Sequence, residues 1–214
     1  MKLNWANRIT ILRILLIVPF VIFMLKVNDD SLGKYQQNLI RYGATLIFLV
    51  MAVSDAIDGF LARRKHQITQ LGTFLDPMAD KLLMTSACLL LFSNQGHVDG
   101  FRLPGTVVVL IISKDILLLT GFVIVYFITS QIRIVPVFIG KLATTLQLAM
   151  VTAILIAPEA SIPIKGWIWF LRFLWWSAAA TAVASTLIYI RKGIIFVNEF
   201  EQPKNGSPSG PGTH

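Results

Sequence analysis

A chain of 214 residues that is 55% hydrophobic and only 14% charged exposes too much apolar surface to be one soluble domain. Its mean hydropathy is +0.70, and its recurring apolar runs have the length, about 20 residues, that a helix needs to cross a bilayer. The net charge of +8 comes from basic residues in short loops beside those runs, where they orient the chain and face anionic lipid heads. Nucleic-acid binding is therefore not the reading of that charge.

In chain order the apolar pattern predicts an all-α, polytopic membrane protein with six transmembrane helices, at 9–25, 39–62, 74–92, 106–128, 135–157 and 166–190. The first run has a basic start but no small-residue cleavage site after it, so it reads as a retained span. Turn signals such as "VNDDSLGK", "SNQGHVDG" and "PEASIPIKG" separate the runs. Cys88, the single cysteine, falls inside an apolar run and reads as a small packing residue. Nine Lys and Arg fall in the loops of one side and four in the loops of the other. That places both termini in the cytoplasm. Residues 1–198 form the membrane domain, and 199–214, rich in Pro, Gly and Ser, read as a disordered tail.

Between the second and third spans the chain places Asp55, Asp58, Asp76 and Asp80, four of its 11 acidic residues, within 26 positions. On a helix Asp55 and Asp58 share a face, and Gly72, Asp76 and Asp80 form one stripe. Two antiparallel spans joined by a short cytoplasmic loop bring both pairs to one membrane depth. Four carboxylates in a partly dry site repel one another unless cations are present. Hard oxygen donors suit Mg²⁺, Mn²⁺ or Ca²⁺. Gly59 and Ala62 leave room for a ligand near the backbone, and Arg63 adds a guanidinium suited to a phosphate. Together these residues describe a place for a metal-bound phosphate ester.

The spacing Asp55-x2-Asp58-Gly59-x2-Ala62-Arg63-x8-Gly72-x3-Asp76-x3-Asp80 resembles, at every position, the signature of the CDP-alcohol phosphotransferases. The start "NRITILRILLIVP", with Asn7, Thr10, Arg13 and Pro19, and the stretch "GTFLDPMADKLL" look like the branches of that family that make phosphatidylglycerophosphate and cardiolipin. The resemblance implies a six-helix membrane fold, usually dimeric, with a short N-terminal juxtamembrane helix and a polar cavity open to the cytoplasm. It implies two divalent cations, Mg²⁺ or Mn²⁺, held by Asp55, Asp58, Asp76 and Asp80, with Asp80 also deprotonating the acceptor hydroxyl. Asp58, Gly59, Ala62, Arg63, Gly72 and Thr10 would form the CDP site. The reaction implied is transfer of a phosphatidyl group from CDP-diacylglycerol to glycerol-3-phosphate, with release of CMP.

The acceptor's phosphate needs cations of its own, and Lys114, Lys141 and Arg191 are the candidates. Lys114 and Asp115 are neighbours in sequence and are expected to point to different sides of their helix without neutralising each other. Lys114-Asp115 and Ser54 stand where the phosphatidylglycerophosphate-forming branch often carries Arg-Glu and Thr. Phosphatidylglycerol, the acceptor in the cardiolipin-forming branch, is therefore the alternative. His66 in the basic loop could touch a phosphate, Trp167, Trp169, Trp175 and Trp176 read as an interfacial belt and packing, and Arg172 has no assignment. Intramembrane carboxylates also mark ion-coupled transporters, but the second half of this chain has no matching acidic cluster.

Overall fold

The computed structural model describes residues 5–65, 70–129 and 138–201, and the side chains of 10–54, 78–121, 123–124 and 138–195. Its elements are α1 (Trp5–Leu25), α2 (Lys34–Lys65), α3 (Gln70–Phe92), α4 (Gly105–Thr129), α5 (Phe138–Leu155), the short α6 (Ala157–Ala160) and α7 (Trp167–Glu201). Among the described residues there is no strand. Each of the six expected spans falls within one long helix, apart from a few residues at the edges of the fifth and sixth. Among the described residues, three helical segments are long and apolar enough by themselves to cross a membrane: Lys34–Ser54, Phe138–Leu155 and Trp167–Ile195.

Two expectations change. Instead of a separate juxtamembrane helix, α1 runs unbroken from Trp5, because "WANRIT" contains no Gly or Pro to interrupt it. At the other end α7 continues to Glu201, three residues into the expected tail, since no proline occurs between Trp167 and position 203. Residues 202–214 of that tail lie outside the described residues.

α1 packs against α2 and α3, while α7 packs against α4 and α5; α2–α5, α3–α4 and α3–α5 contacts join the two groups. The buried stripe of α1 explains its central place. Thr10, Arg13, Phe20 and Met24 recur at helical spacing and are all buried, with Ile17 packed beside them. Phe20 meets Phe48 of α2 with ring centroids 5.8 Å apart. Elsewhere α1 and α7 present Leu12, Leu15, Val18, Phe173 and Leu187 outward, each more than half exposed. Such an apolar exterior belongs against lipid.

Close approach of α1 and α2 depends on Gly43. A Cβ there would stand 2.7 and 2.9 Å from two ring carbons of Phe23. Small residues serve this purpose in membrane bundles. Gly43→Val is expected to lower stability by about 1–3 kcal/mol through overpacking, read as a lower Tm in detergent.

The loops α1–α2, α3–α4 and α5–α7 gather at one end. Asn28 Nδ2 donates to the His97 carbonyl oxygen at 2.8 Å, and Lys34 Nζ lies 3.3 Å from Asp99. Buried Arg41 donates from Nη1 to the Leu155 carbonyl at 2.8 Å and to Glu159 Oε2 at 2.8 Å, and from Nη2 to Glu159 Oε1. Tyr42 donates to the same carboxylate at 2.8 Å. The Arg41 hydrogen bonds lower the Glu159 carboxyl from its ordinary 4.5 to about 2. A depressed carboxyl contributes stability above its unfolded value and loses it as pH falls toward the folded one. Wild type should therefore lose Tm as pH falls below about 4.5, whereas Glu159→Gln should show a flatter profile there. With 43% of the Glu159 side chain exposed, the substitution at neutral pH should cost only on the order of 1 kcal/mol.

Candidate active site

Asp55 and Asp58 lie in the last three turns of α2, while Gly72, Asp76 and Asp80 lie in the first three turns of α3. Gly59, Ala62 and Arg63 also lie in α2. The side chains of Asp55, Asp58, Ala62, Arg63 and Asp76 are outside the described residues, as is His66 altogether. α2 carries the first half of the pattern near its C-terminal end, between the apolar run before Asp55 and the basic Arg63-Arg64-Lys65.

Asp80 is the one member of the pattern whose side chain is described. It is 41% exposed, and its Oδ1 accepts a hydrogen bond from Arg13 Nη1 at 3.1 Å. Arg13 is 2% exposed, so a buried guanidinium on α1 holds the carboxylate on α3. Thr10, buried one turn before Arg13, shares that face of α1. The polar end of the α1 stripe is therefore aimed at the site, and its apolar end at the core. A signal that the sequence reading did not use was present: an arginine amid "ITILRILL" calls for a polar or acidic partner. Asp80 keeps enough exposure to serve an ion, and the four carboxylates include no thiolate or imidazole. The donor set fits a hard divalent cation.

Beyond Asp80 lies a second charged group. Lys81 Nζ is 2.7 Å from Asp115 Oδ1, and Lys114 Nζ is 3.1 Å from the same oxygen. Lys114 Nζ also lies 3.5 Å from Gln147 Oε1 on α5. Lys114, Asp115 and Gln147 are all buried. The expectation that Lys114 and Asp115 do not neutralise each other is thus corrected. Positions 107, 108, 111, 114 and 115 form one buried stripe of α4, so both side chains face inward. The long lysine stem then folds back to its neighbour, since an unpaired charge there would be costly.

Of the other acceptor candidates, Lys141 at the start of α5 and Arg191 near the end of α7 are exposed. Gly140 lets these ends come together: a Cβ on it would stand 3.0 Å from the Tyr189 hydroxyl. Trp175 is buried, whereas Trp169 and Trp176 face outward. The unassigned Arg172 lies with its guanidinium carbon 4.9 Å from the Trp169 ring centroid, a cation–π contact.

The family model for CDP-alcohol phosphatidyltransferase matches residues 3–190. A Bacillus subtilis protein named CDP-diacylglycerol–glycerol-3-phosphate 3-phosphatidyltransferase is 32% identical over 161 residues, which is 72% of this chain and 77% of the relative. A protein of the same name from Escherichia coli is 32% identical over 167 residues, 78% of this chain and 84% of the relative. The stretch matched by the family model takes in Arg13, the whole carboxylate pattern, and the cluster around Asp115. The chain belongs to the CDP-alcohol phosphatidyltransferase family.

Proposed function

We propose that the chain transfers the phosphatidyl group of CDP-diacylglycerol to glycerol-3-phosphate, giving phosphatidylglycerophosphate and CMP. The observation that carries this reading is the carboxylate pattern at the end of α2 and the start of α3, with Asp80 held by Arg13. The names of the relatives support the choice of acceptor. Asp80 takes the proton of the acceptor hydroxyl, that oxygen bonds to the lipid-side phosphorus, and the bond from that phosphorus to the CMP oxygen breaks. Arg13 keeps the Asp80 carboxylate in one orientation, so little reorganisation is needed as the proton moves. Two divalent cations, Mg²⁺ or Mn²⁺, held by Asp55, Asp58, Asp76 and Asp80 would neutralise the diphosphate. Asp58, Gly59, Ala62, Arg63, Gly72 and Thr10 line the CDP site. Lys141 and Arg191 reach the acceptor's phosphate directly, and Lys114 adds positive charge from its buried position.

In the same reading all six long helices span the bilayer, the site and both termini face the cytoplasm, and the enzyme is a homodimer. The membrane domain runs to the end of α7 at Glu201, and the remainder is its tail. A lipid substrate accounts for a site at the membrane edge. The test supplies CDP-diacylglycerol, Mg²⁺ or Mn²⁺, and either glycerol-3-phosphate or phosphatidylglycerol, and follows CMP. Release with glycerol-3-phosphate is expected. Release with phosphatidylglycerol alone would make the chain a cardiolipin synthase instead, and no release with either would reopen the transporter reading.

A further inference from the structure

We propose that Asp115 is a positioning residue: a buried counter-ion that, through Lys81, fixes the turn of α3 carrying Asp80. This rests on the reading of Asp80 as the base. Asp80 and Lys81 are consecutive, so their side chains leave α3 about 100° apart. Asp80 is tied to Arg13 on α1 at 3.1 Å, and Lys81 is tied to Asp115 on α4 at 2.7 Å. One turn of α3 is therefore held from two sides by two ion pairs. Asp115 is itself secured, because Lys114 lies 3.1 Å from the same oxygen and reaches Gln147 on α5 at 3.5 Å. The chain of contacts runs α3–α4–α5 and ends on the helix that carries Lys141 in its first turn.

Holding helices together does not require charge. A well-packed apolar group at a buried ion pair is often as stabilising or more so. What charges add here is an end point: the Lys81 ammonium, 2.7 Å from one carboxylate oxygen, is drawn to a single buried anion, and that biases the rotation of α3 about its axis. A base displaced by about 1 Å loses on the order of 10²-fold in rate. Asp115 serves two cations, so its removal releases Lys81 and strands Lys114 at once.

The experiment uses the full chain in detergent with CDP-diacylglycerol and the acceptor on which wild type turns over. It compares Asp115→Asn, Asp115→Glu, Lys81→Met and the Lys81→Met/Asp115→Asn double variant. Expected for Asp115→Asn is a fall in kcat of about 10–100-fold per folded molecule, with both KM values within about threefold. Asp115→Glu should recover most of that loss. Lys81→Met, which leaves Asp115 paired with Lys114, should reproduce the kcat loss, and the double variant should be no slower than the slower single one.

A wild-type kcat per folded molecule in Asp115→Asn would overturn the proposal, as would losses that multiply in the double variant. If Asp115→Asn does not fold, Lys81→Met decides, and wild-type kcat there overturns it. If wild type releases no CMP with any acceptor, the proposed reaction fails, and positioning fails with it. Turnover with phosphatidylglycerol alone overturns only the acceptor and leaves the comparison among variants intact.

Discussion

Asp80→Asn is expected to leave a folded protein whose kcat for CMP release is lower by about 10³-fold, within the range that a positioned base contributes. Asparagine is nearly isosteric with aspartate, and its side-chain carbonyl still accepts a hydrogen bond from Arg13. The contact between α1 and α3 therefore weakens without being lost. Gone are the proton acceptor for the attacking hydroxyl and one negative charge of the carboxylate set. The measurement is kcat at saturating CDP-diacylglycerol and acceptor, beside a melting curve of the same preparation. Asp80→Glu keeps the charge one methylene further out, so it should fall between wild type and Asp80→Asn. A kcat within tenfold of wild type in the asparagine variant would remove Asp80 from the base role, leaving it as a support for Arg13.

The helices and the carboxylate pattern were legible because both are local. A run of apolar residues sets its own length against the bilayer, and i, i+3 and i+4 spacing fixes a shared face without knowledge of the partner. What was not legible depends on contacts between distant segments. Arg41 reads only as a charge near the start of a span until Glu159, 118 positions away, is seen beneath it. The Lys114–Asp115 pair was misjudged because sequence neighbours on a helix normally diverge, and nothing local reveals that both fall on the buried stripe of α4. Arg13 stood out through resemblance alone, and its partner Asp80, 67 positions on, came from the packing of α1 on α3. The ends of α1 and α7 were mistaken for a simpler reason. Membrane hydropathy marks the apolar part of a helix, and both helices continue through polar sequence with no residue to stop them.

Removal of divalent cations should bring CMP release to background, and adding back Mg²⁺ or Mn²⁺ should restore it. Asp55, Asp58, Asp76 and Asp80 fall within 26 residues, and such a group of carboxylates is unfavourable without cations to offset its repulsion. The diphosphate of the substrate adds further negative charge at the same place. Several kcal/mol of charge stabilisation is at stake, equivalent to about 10³-fold or more in rate. Zn²⁺ should restore less, because its preferred sulfur and nitrogen donors are missing from this set. The assay runs wild type with chelator, then titrates each metal back, and full activity in chelator would overturn the metal assignment. Ligand and positioning roles separate in the same titration. Loss of even a supporting partner typically weakens a metal site about 10–100-fold, so Asp55→Asn and Asp58→Asn should raise the half-saturating Mg²⁺ at least tenfold. Asp115→Asn should move that midpoint less than either ligand variant while lowering the plateau, because Asp115 contacts Lys81 and Lys114 and acts on Asp80 only through Lys81.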